Sequence, residues 1–114
     1  MPPGQMNLLQ GTLDVLVLQS LTAGPNHGYG VAQWIHTTTD GTLEIEDGAL
    51  YTSLHRLEKR GLLEASWGTS ENNRRAKYYT LTGAGAQELA QATQDWTRYA
   101  EAVAKVLGTG LEPA

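Results

Sequence analysis

Apolar side chains recur every three or four residues in four stretches of the chain, and this spacing predicts four helices. Candidate end residues support the assignment. Asn7, Asp47 and Thr82 are suitable N-caps, Gly61 suits the position just past a helix end, and the segment 23–26 (AGPN) is a strong breaker. The predicted helices cover residues 7–21, 27–37, 47–60 and 84–107.

Alternation of apolar and polar residues predicts three strands between these helices. Residues 43–46 (LEIE) are a short candidate strand. Residues 62–67 and 76–81 are two further candidates, and the polar segment 68–75 between them predicts a hairpin with a long tip.

The predicted order is helix, helix, short strand, helix, hairpin and long helix, which is typical of a winged helix-turn-helix with the hairpin as its wing. We therefore expect an α+β fold, mostly helical, with a two-stranded wing and a long C-terminal dimerisation helix. We divide the chain into a disordered N-terminus (1–6), a winged helix-turn-helix domain (7–82), the dimerisation helix (83–107) and a frayed tail (108–114).

Composition narrows the class of protein. A length of 114 residues fits one domain with one core. The absence of cysteine excludes disulfides, a thiolate zinc site and a cysteine nucleophile. We see no signal peptide and no apolar run long enough to span a bilayer, so we expect a cytoplasmic protein with no membrane partner.

The charges are distributed unevenly along the chain. The net charge is −4, yet six of the eight basic residues lie between Arg56 and Lys77, where three acidic residues accompany them. No Lys or Arg precedes Arg56, whereas five acidic residues do. This asymmetry can make a local basic footprint on an acidic body, which is one mark of a nucleic-acid-binding protein. The alternative, which composition alone favours, is a solvated charged helix followed by a basic loop.

The third predicted helix has a face suited to DNA. Leu50, Leu54 and Leu57 form its core stripe, and the opposite face and its flanks carry a phenol, a hydroxyl, an imidazole and two cations. Such a helix fits the major groove of DNA. The alternative is an ordinary solvated surface helix. The candidate DNA-binding residues of this helix are Tyr51, Thr52, His55, Arg56 and Lys59.

The turn of the predicted wing is polar and becomes basic toward its C-terminal end. A hairpin tip with paired arginines can contact the phosphate backbone or reach the minor groove. The alternative is a solvated basic turn, which is common in proteins of any function. The candidate DNA-binding residues of the wing are Asn73, Arg74, Arg75 and Lys77.

Three blocks of sequence resemble the PadR family of winged-helix transcriptional regulators. They are HGYG at 27–30, LYTSLHRLEKRGL at 50–62 and RRAKYYTLTGAG at 74–85, and the resemblance extends over residues 8–107. It implies a winged-helix homodimer that binds a palindromic operator in double-stranded DNA, usually as a repressor. The single helix after the wing is similar to the short-tailed branch of the family. Asn73 stands where the family often has Gly.

The last predicted helix carries an apolar stripe that the winged domain does not cover. Pairing with a second copy would bury this stripe and place two recognition helices about 34 Å apart, one turn of DNA. The candidate interface residues are Leu89, Trp96, Tyr99, Val103 and Val106.

Trp96 has a second interpretation. In drug-sensing members of the family a Trp at the matching position stacks on flat aromatic ligands at the dimer centre, so the resemblance implies a planar aromatic effector as a candidate partner. The alternative is that Trp96 packs the dimer interface, an ordinary role for this residue type.

The sequence gives little support for a metal site, a phosphate-binding loop or an enzyme active site. His27, His36 and His55 lack the spacing of a helical zinc site, and the sequence has neither a phosphate loop nor a nucleophile elbow. We therefore expect no metal, no cofactor and no enzymatic activity. The competing hypothesis is a winged helix that has lost DNA binding and pairs with another protein, which the acidic net charge favours and the acid-free face of the third helix opposes.

Overall fold

The computed structural model describes residues 3–109, with side chains described from Gly11 onward. Four α-helices and three β-strands, joined by loops, lie in this part of the chain. The fold is α+β and mostly helical, as predicted. The elements are α1 (Pro3–Ser20), β1 (Asn26–His27), α2 (Gly28–Thr38), α3 (Asp47–Lys59), β2 (Leu63–Thr69), β3 (Arg75–Leu81) and α4 (Gly83–Leu107).

The wing is the antiparallel hairpin β2–β3, in register from Leu63 opposite Leu81 to Thr69 opposite Arg75. A third strand completes the sheet in the order β1-β3-β2, but it is not the predicted one at 43–46. β1 pairs with Tyr78 and Tyr79 instead. Residues 43–46 form an irregular loop, because Asp40 and Gly41 reverse the chain with positive φ and Glu46 already caps α3.

One apolar core joins all four helices to the sheet. The stripe Leu50, Leu54 and Leu57 of α3 is no more than 1% exposed, as its spacing predicts. Tyr79 points into this core and Tyr78 is half-buried, in agreement with the alternation predicted for the strand. The other buried apolar members are Val17, Leu18, Leu21, Val31, Ile35, Leu62, Leu63 and Leu89.

Helix ends follow local chemistry with two corrections. Thr82 caps α4 by accepting a hydrogen bond from the Gly85 amide at 3.0 Å, and Gly61 adopts the left-handed conformation after α3, as predicted. Helix α1 begins at Pro3 rather than at Asn7, and proline is well suited to a first helical turn. The disordered start expected for residues 1–6 stays a prediction, and residues 1–2 lie outside the described part. Asp47, the predicted N-cap, is instead the first residue of α3, and Glu46 is the N-cap of that helix.

Helix α4 packs against α1, and its first turns join the core of the winged domain. Gly85 lies directly against the carbonyl of Leu62, where a Cβ would collide with that oxygen. Leu89, one turn later, is 8% exposed and belongs to the core of the protomer, so its assignment to the exposed interface stripe is corrected. Gly108 ends the helix with positive φ, and residues 110–114 of the expected frayed tail lie outside the described part. None of the described helices is long and apolar enough to cross a membrane.

Candidate nucleic-acid interface

The exposed side of α3 forms a shallow groove of about 620 Å³. Leucines on the opposite side anchor the helix to the core and thereby fix which residues face outward. No acidic side chain of the described residues lines the groove. The groove is lined by Arg60 and by all five DNA-binding residues predicted on this helix, which are Tyr51, Thr52, His55, Arg56 and Lys59.

Arg56 lines the groove, but its guanidinium is paired with an acidic residue of α1. Its Nη2 donates to Oδ1 of Asp14 at 2.6 Å and its Nε donates to Oδ2 at 3.1 Å, so that the guanidinium grips a carboxylate of α1. These hydrogen bonds raise the pKa of Arg56 above its ordinary value, and the guanidinium stays charged. The structure thus places this predicted DNA contact in an intramolecular ion pair, which the sequence could not indicate because 42 residues separate the partners.

Lys59, one turn beyond Arg56, is the freer cation of the helix. It is exposed and forms no ion pair with any residue whose side chain is described. Arg60 lies beside it, half-exposed, with Nη2 3.8 Å from Glu88. At that distance and exposure the pair contributes little to stability, but Glu88 offsets part of the Arg60 charge.

The wing tip is a tight turn that presents Arg74. The Ser70 amide donates to the Arg74 carbonyl at 2.8 Å and the Asn73 amide donates to the Ser70 carbonyl at 2.9 Å. Asn73 closes the turn with a φ of 59°, a left-handed conformation that Asn tolerates and Gly adopts freely. This explains why a glycine would serve at the same position. Arg74 is exposed and forms no ion pair with a described residue.

The other two cations of the wing have partners on the same face of the hairpin. The Arg75 guanidinium lies 4.6 Å from the centre of the Trp67 ring, a cation–π contact that leaves its charge unneutralised. Lys77 donates from Nζ to Oε1 of Glu58 in α3 at 3.0 Å. This hydrogen bond raises the pKa of Lys77 above its ordinary value. Lys77 therefore ties the wing to α3, which differs from its predicted role as a phosphate contact.

Exposed aromatic side chains surround the space between the wing and α2, a cleft of about 1060 Å³. Tyr29 is 71% exposed, Trp67 60% and Tyr51 51%. Neither Tyr29 nor Trp67 is among the site residues predicted from the sequence. The alternation of side chains along β2 could have identified Trp67, because it places Trp67 on the same face of the strand as the buried Leu63. Trp67 lies beyond the edge of the core and is therefore exposed.

Comparison with known proteins identifies the family. The model of the transcriptional regulator PadR-like family matches residues 17–91 of the 114. The chain belongs to the PadR-like family of transcriptional regulators. The match begins in α1 and ends in the third turn of α4, so it includes α3 and the whole wing.

Solved structures agree with this PadR-like assignment. A transcriptional regulator from Clostridium thermocellum is 28% identical with a TM-score of 0.77, covering 87% of this chain and 93% of that one. A PadR family transcriptional regulator from Eggerthella lenta is 32% identical with a TM-score of 0.71, covering 92% and 89%. An uncharacterised protein of Lysinibacillus sphaericus is 28% identical over 97 residues, which is 85% of this chain and 89% of the relative.

Beyond the winged domain, α4 of this PadR-like protein presents apolar side chains to solvent. Trp96 is 44% exposed, Tyr99 37% and Val106 87%, whereas Val103 is half-buried. The rings of Trp96 and Tyr99 lie 6.0 Å apart. The described residues contain no group of three or more His, Asp or Glu that could hold a metal ion. His27 is engaged as the N-cap of α2, where its Nδ1 accepts a hydrogen bond from the Gly30 amide at 3.0 Å.

Proposed function

We propose that this PadR-like protein is a cytoplasmic, sequence-specific DNA-binding repressor that acts as a homodimer on a palindromic operator. The observation that carries the proposal is the acid-free groove along α3, flanked by a wing whose arginines are not neutralised. A helix of this kind enters the major groove, while the wing contacts the adjoining backbone.

The residues of this interface fall into two groups, the base-reading candidates and the cations that contact phosphate. Tyr51, Thr52 and His55 are exposed on the outward side of α3 and are the base-reading candidates. Lys59 and the wing arginines supply phosphate contacts, which contribute most of the affinity and make it depend on salt. The alternative of a protein-interaction module without DNA binding offers no reason for α3 to keep acids out of its groove.

The homodimer rests on α4. Val106 and Leu107 are 87% and 68% exposed, and with Trp96 and Tyr99 they leave the helix with an apolar surface that water does not favour. A second copy is the economical cover for such a surface, because a twofold arrangement pairs the same stripe with itself. The two recognition helices then meet two half-sites about one DNA turn apart.

The test is a gel shift of the purified protein against the DNA immediately upstream of its own gene, with scrambled DNA of equal length as control and at two salt concentrations. We expect a shift at nanomolar protein on the upstream DNA alone, weaker at the higher salt. Equal shifts on both DNAs would contradict sequence-specific regulation at this site. No shift on either would favour the interaction module.

A planar aromatic effector is a second element of the proposal. The exposed Trp96 ring lies beside Tyr99, an arrangement suited to stacking on a flat ligand at the dimer centre. Titration with planar aromatic compounds should quench tryptophan fluorescence in the wild type and not in Trp96→Ala. Equal quenching in the variant would assign the signal to Trp34 or Trp67 and leave Trp96 as an interface anchor.

A further inference from the structure

A largely buried carboxylate links α1, the helix that packs on α4, to α3, the proposed reading helix. Asp14 of α1 accepts three hydrogen bonds from α3: one from the Ser53 hydroxyl at 2.6 Å and two from the Arg56 guanidinium at 2.6 and 3.1 Å. The Asp14 side chain is 13% exposed and Ser53 is fully buried. We call these three residues the Asp14 clamp.

The clamp is positioned to set the orientation of α3. Leucine packing holds a helix against its neighbours but is non-directional, so it permits small rotations and shifts. A two-pronged guanidinium–carboxylate pair is directional, and the additional bond from Ser53 fixes a second point on the same helix. Ser53 and Arg56 directly follow Thr52 and His55 in the sequence of α3. A rotation of this helix that breaks the clamp therefore also turns the groove-facing side chains of Thr52 and His55.

We infer that Asp14 is a positioning residue for sequence recognition: through Ser53 and Arg56 it holds α3 in its reading orientation, and Arg56 acts on DNA only through this clamp. This inference rests on the proposed function. It also connects the dimerisation side of the protein to the reading helix, because α1 packs against both α4 and α3.

The test compares Asp14→Asn, Arg56→Met and the double variant with the wild type. The probe is a duplex that the wild type selects from a random-sequence pool, with a scrambled duplex as the non-specific reference. Lys59→Met is the matched control, since Lys59 lies in the same groove without an ion pair to a described residue. Affinities are measured by fluorescence anisotropy over a range of salt concentrations.

We expect each single clamp variant to lose about three- to thirty-fold in affinity for the selected duplex and to keep its affinity for the scrambled one. The double variant should be no worse than the poorer single variant, because both changes break one clamp. The salt slope should stay unchanged in Arg56→Met, because the Arg56 charge is already neutralised by Asp14 in the wild type. Lys59→Met should instead weaken both duplexes alike and reduce the slope by about 1.8 per dimer, at about 0.9 for each phosphate contact.

Two results would overturn the inference. A salt slope reduced by about 1.8 in Arg56→Met, with additive losses in the double variant, would mean that Arg56 contacts phosphate directly. An unchanged preference for the selected duplex in Asp14→Asn would mean that the clamp does not set recognition. Should Asp14→Asn fail to fold, Ser53→Ala removes a single bond of the clamp and must still show the loss confined to the selected duplex.

A DNA-free measurement separates this inference from the proposed function. Asp14→Asn should raise the hydrogen-exchange rate of the α3 amides from Leu54 to Lys59 about three- to thirty-fold, while the amides of β2 and β3 keep their protection. Unchanged exchange in α3 would refute the clamp whether or not the protein binds DNA. If the wild type selects no sequence but α3 loosens as expected, the proposed function fails, the role of Asp14 in recognition fails with it, and only the restraint of α3 by the clamp stands.

Discussion

The wing cations provide the sharpest quantitative prediction, because the structure separates free charges from neutralised ones. Arg74, in the turn of the wing, and Lys77, in β3, are both wing cations and look alike in the sequence. Arg74 has no ion pair with a described residue, whereas Lys77 donates to Glu58 at 3.0 Å. We compare Arg74→Ala with Lys77→Met.

The magnitude follows from counting free cations on the interface. Lys59, Arg74 and Arg75 are the candidates in each protomer, so a homodimer presents six and the salt slope should be about −5.4, at about −0.9 per phosphate contact. Arg74→Ala removes two contacts and brings the slope to about −3.6. With equal affinity at 1 M salt, this difference is a loss of roughly sixty-fold at 0.1 M.

Lys77→Met should leave the slope near −5.4, because the ammonium is already neutralised by Glu58 and releases no counterion on binding. Its cost to folding should also be small, about 0–1 kcal/mol, as for other exposed ion pairs. The assay is fluorescence anisotropy with one labelled duplex at four or more salt concentrations, and thermal unfolding confirms that each variant is folded.

Two results would refute the reasoning. If Lys77→Met lowers the slope as much as Arg74→Ala does, the ion pair with Glu58 opens on DNA and the division into free and neutralised cations is wrong. If Arg74→Ala leaves the slope unchanged, the wing tip does not contact phosphate.

Three further predictions concern folding and assembly. Gly85→Ala should cost about 1–3 kcal/mol and lower the melting temperature by roughly 5–15 °C, because its Cβ would meet the Leu62 carbonyl; Gly83→Ala, with no neighbour within 4 Å, should change it little, and equal effects would contradict the contact. Thr82→Ala should cost about 1–2 kcal/mol by chemical denaturation, since the hydroxyl both caps α4 and donates to the Gly61 carbonyl; no loss would show the cap to be dispensable. Val106→Glu should keep the melting of the winged domain but shift sedimentation toward the monomer, and an unshifted dimer would place the interface elsewhere.

The local elements of the fold could be predicted from the sequence because short-range chemistry specifies them. The leucine stripe of α3, the cap at Thr82 and the left-handed Gly61 each depend on residues within a few positions. The hairpin and the order of the four helices around it followed from periodicity, alternation and turn composition, and they were sufficient to predict the winged helix. The candidate reading face was predictable for the same reason, since helical geometry places it opposite the buried stripe.

Long-range pairing was decided only by the tertiary structure. Alternation alone made residues 43–46 a candidate strand, but a strand needs a partner, and β1 occupies the available edge of β3. Likewise Arg56 and Lys77 were assigned to the DNA-facing surface by residue type, and Leu89 to the dimer interface by its place in the apolar stripe of the last helix. Asp14, Glu58 and the domain core, brought near by the fold, hold them instead. A sequence shows which side chains carry charge, but only their placement in space determines which charges remain free to meet DNA.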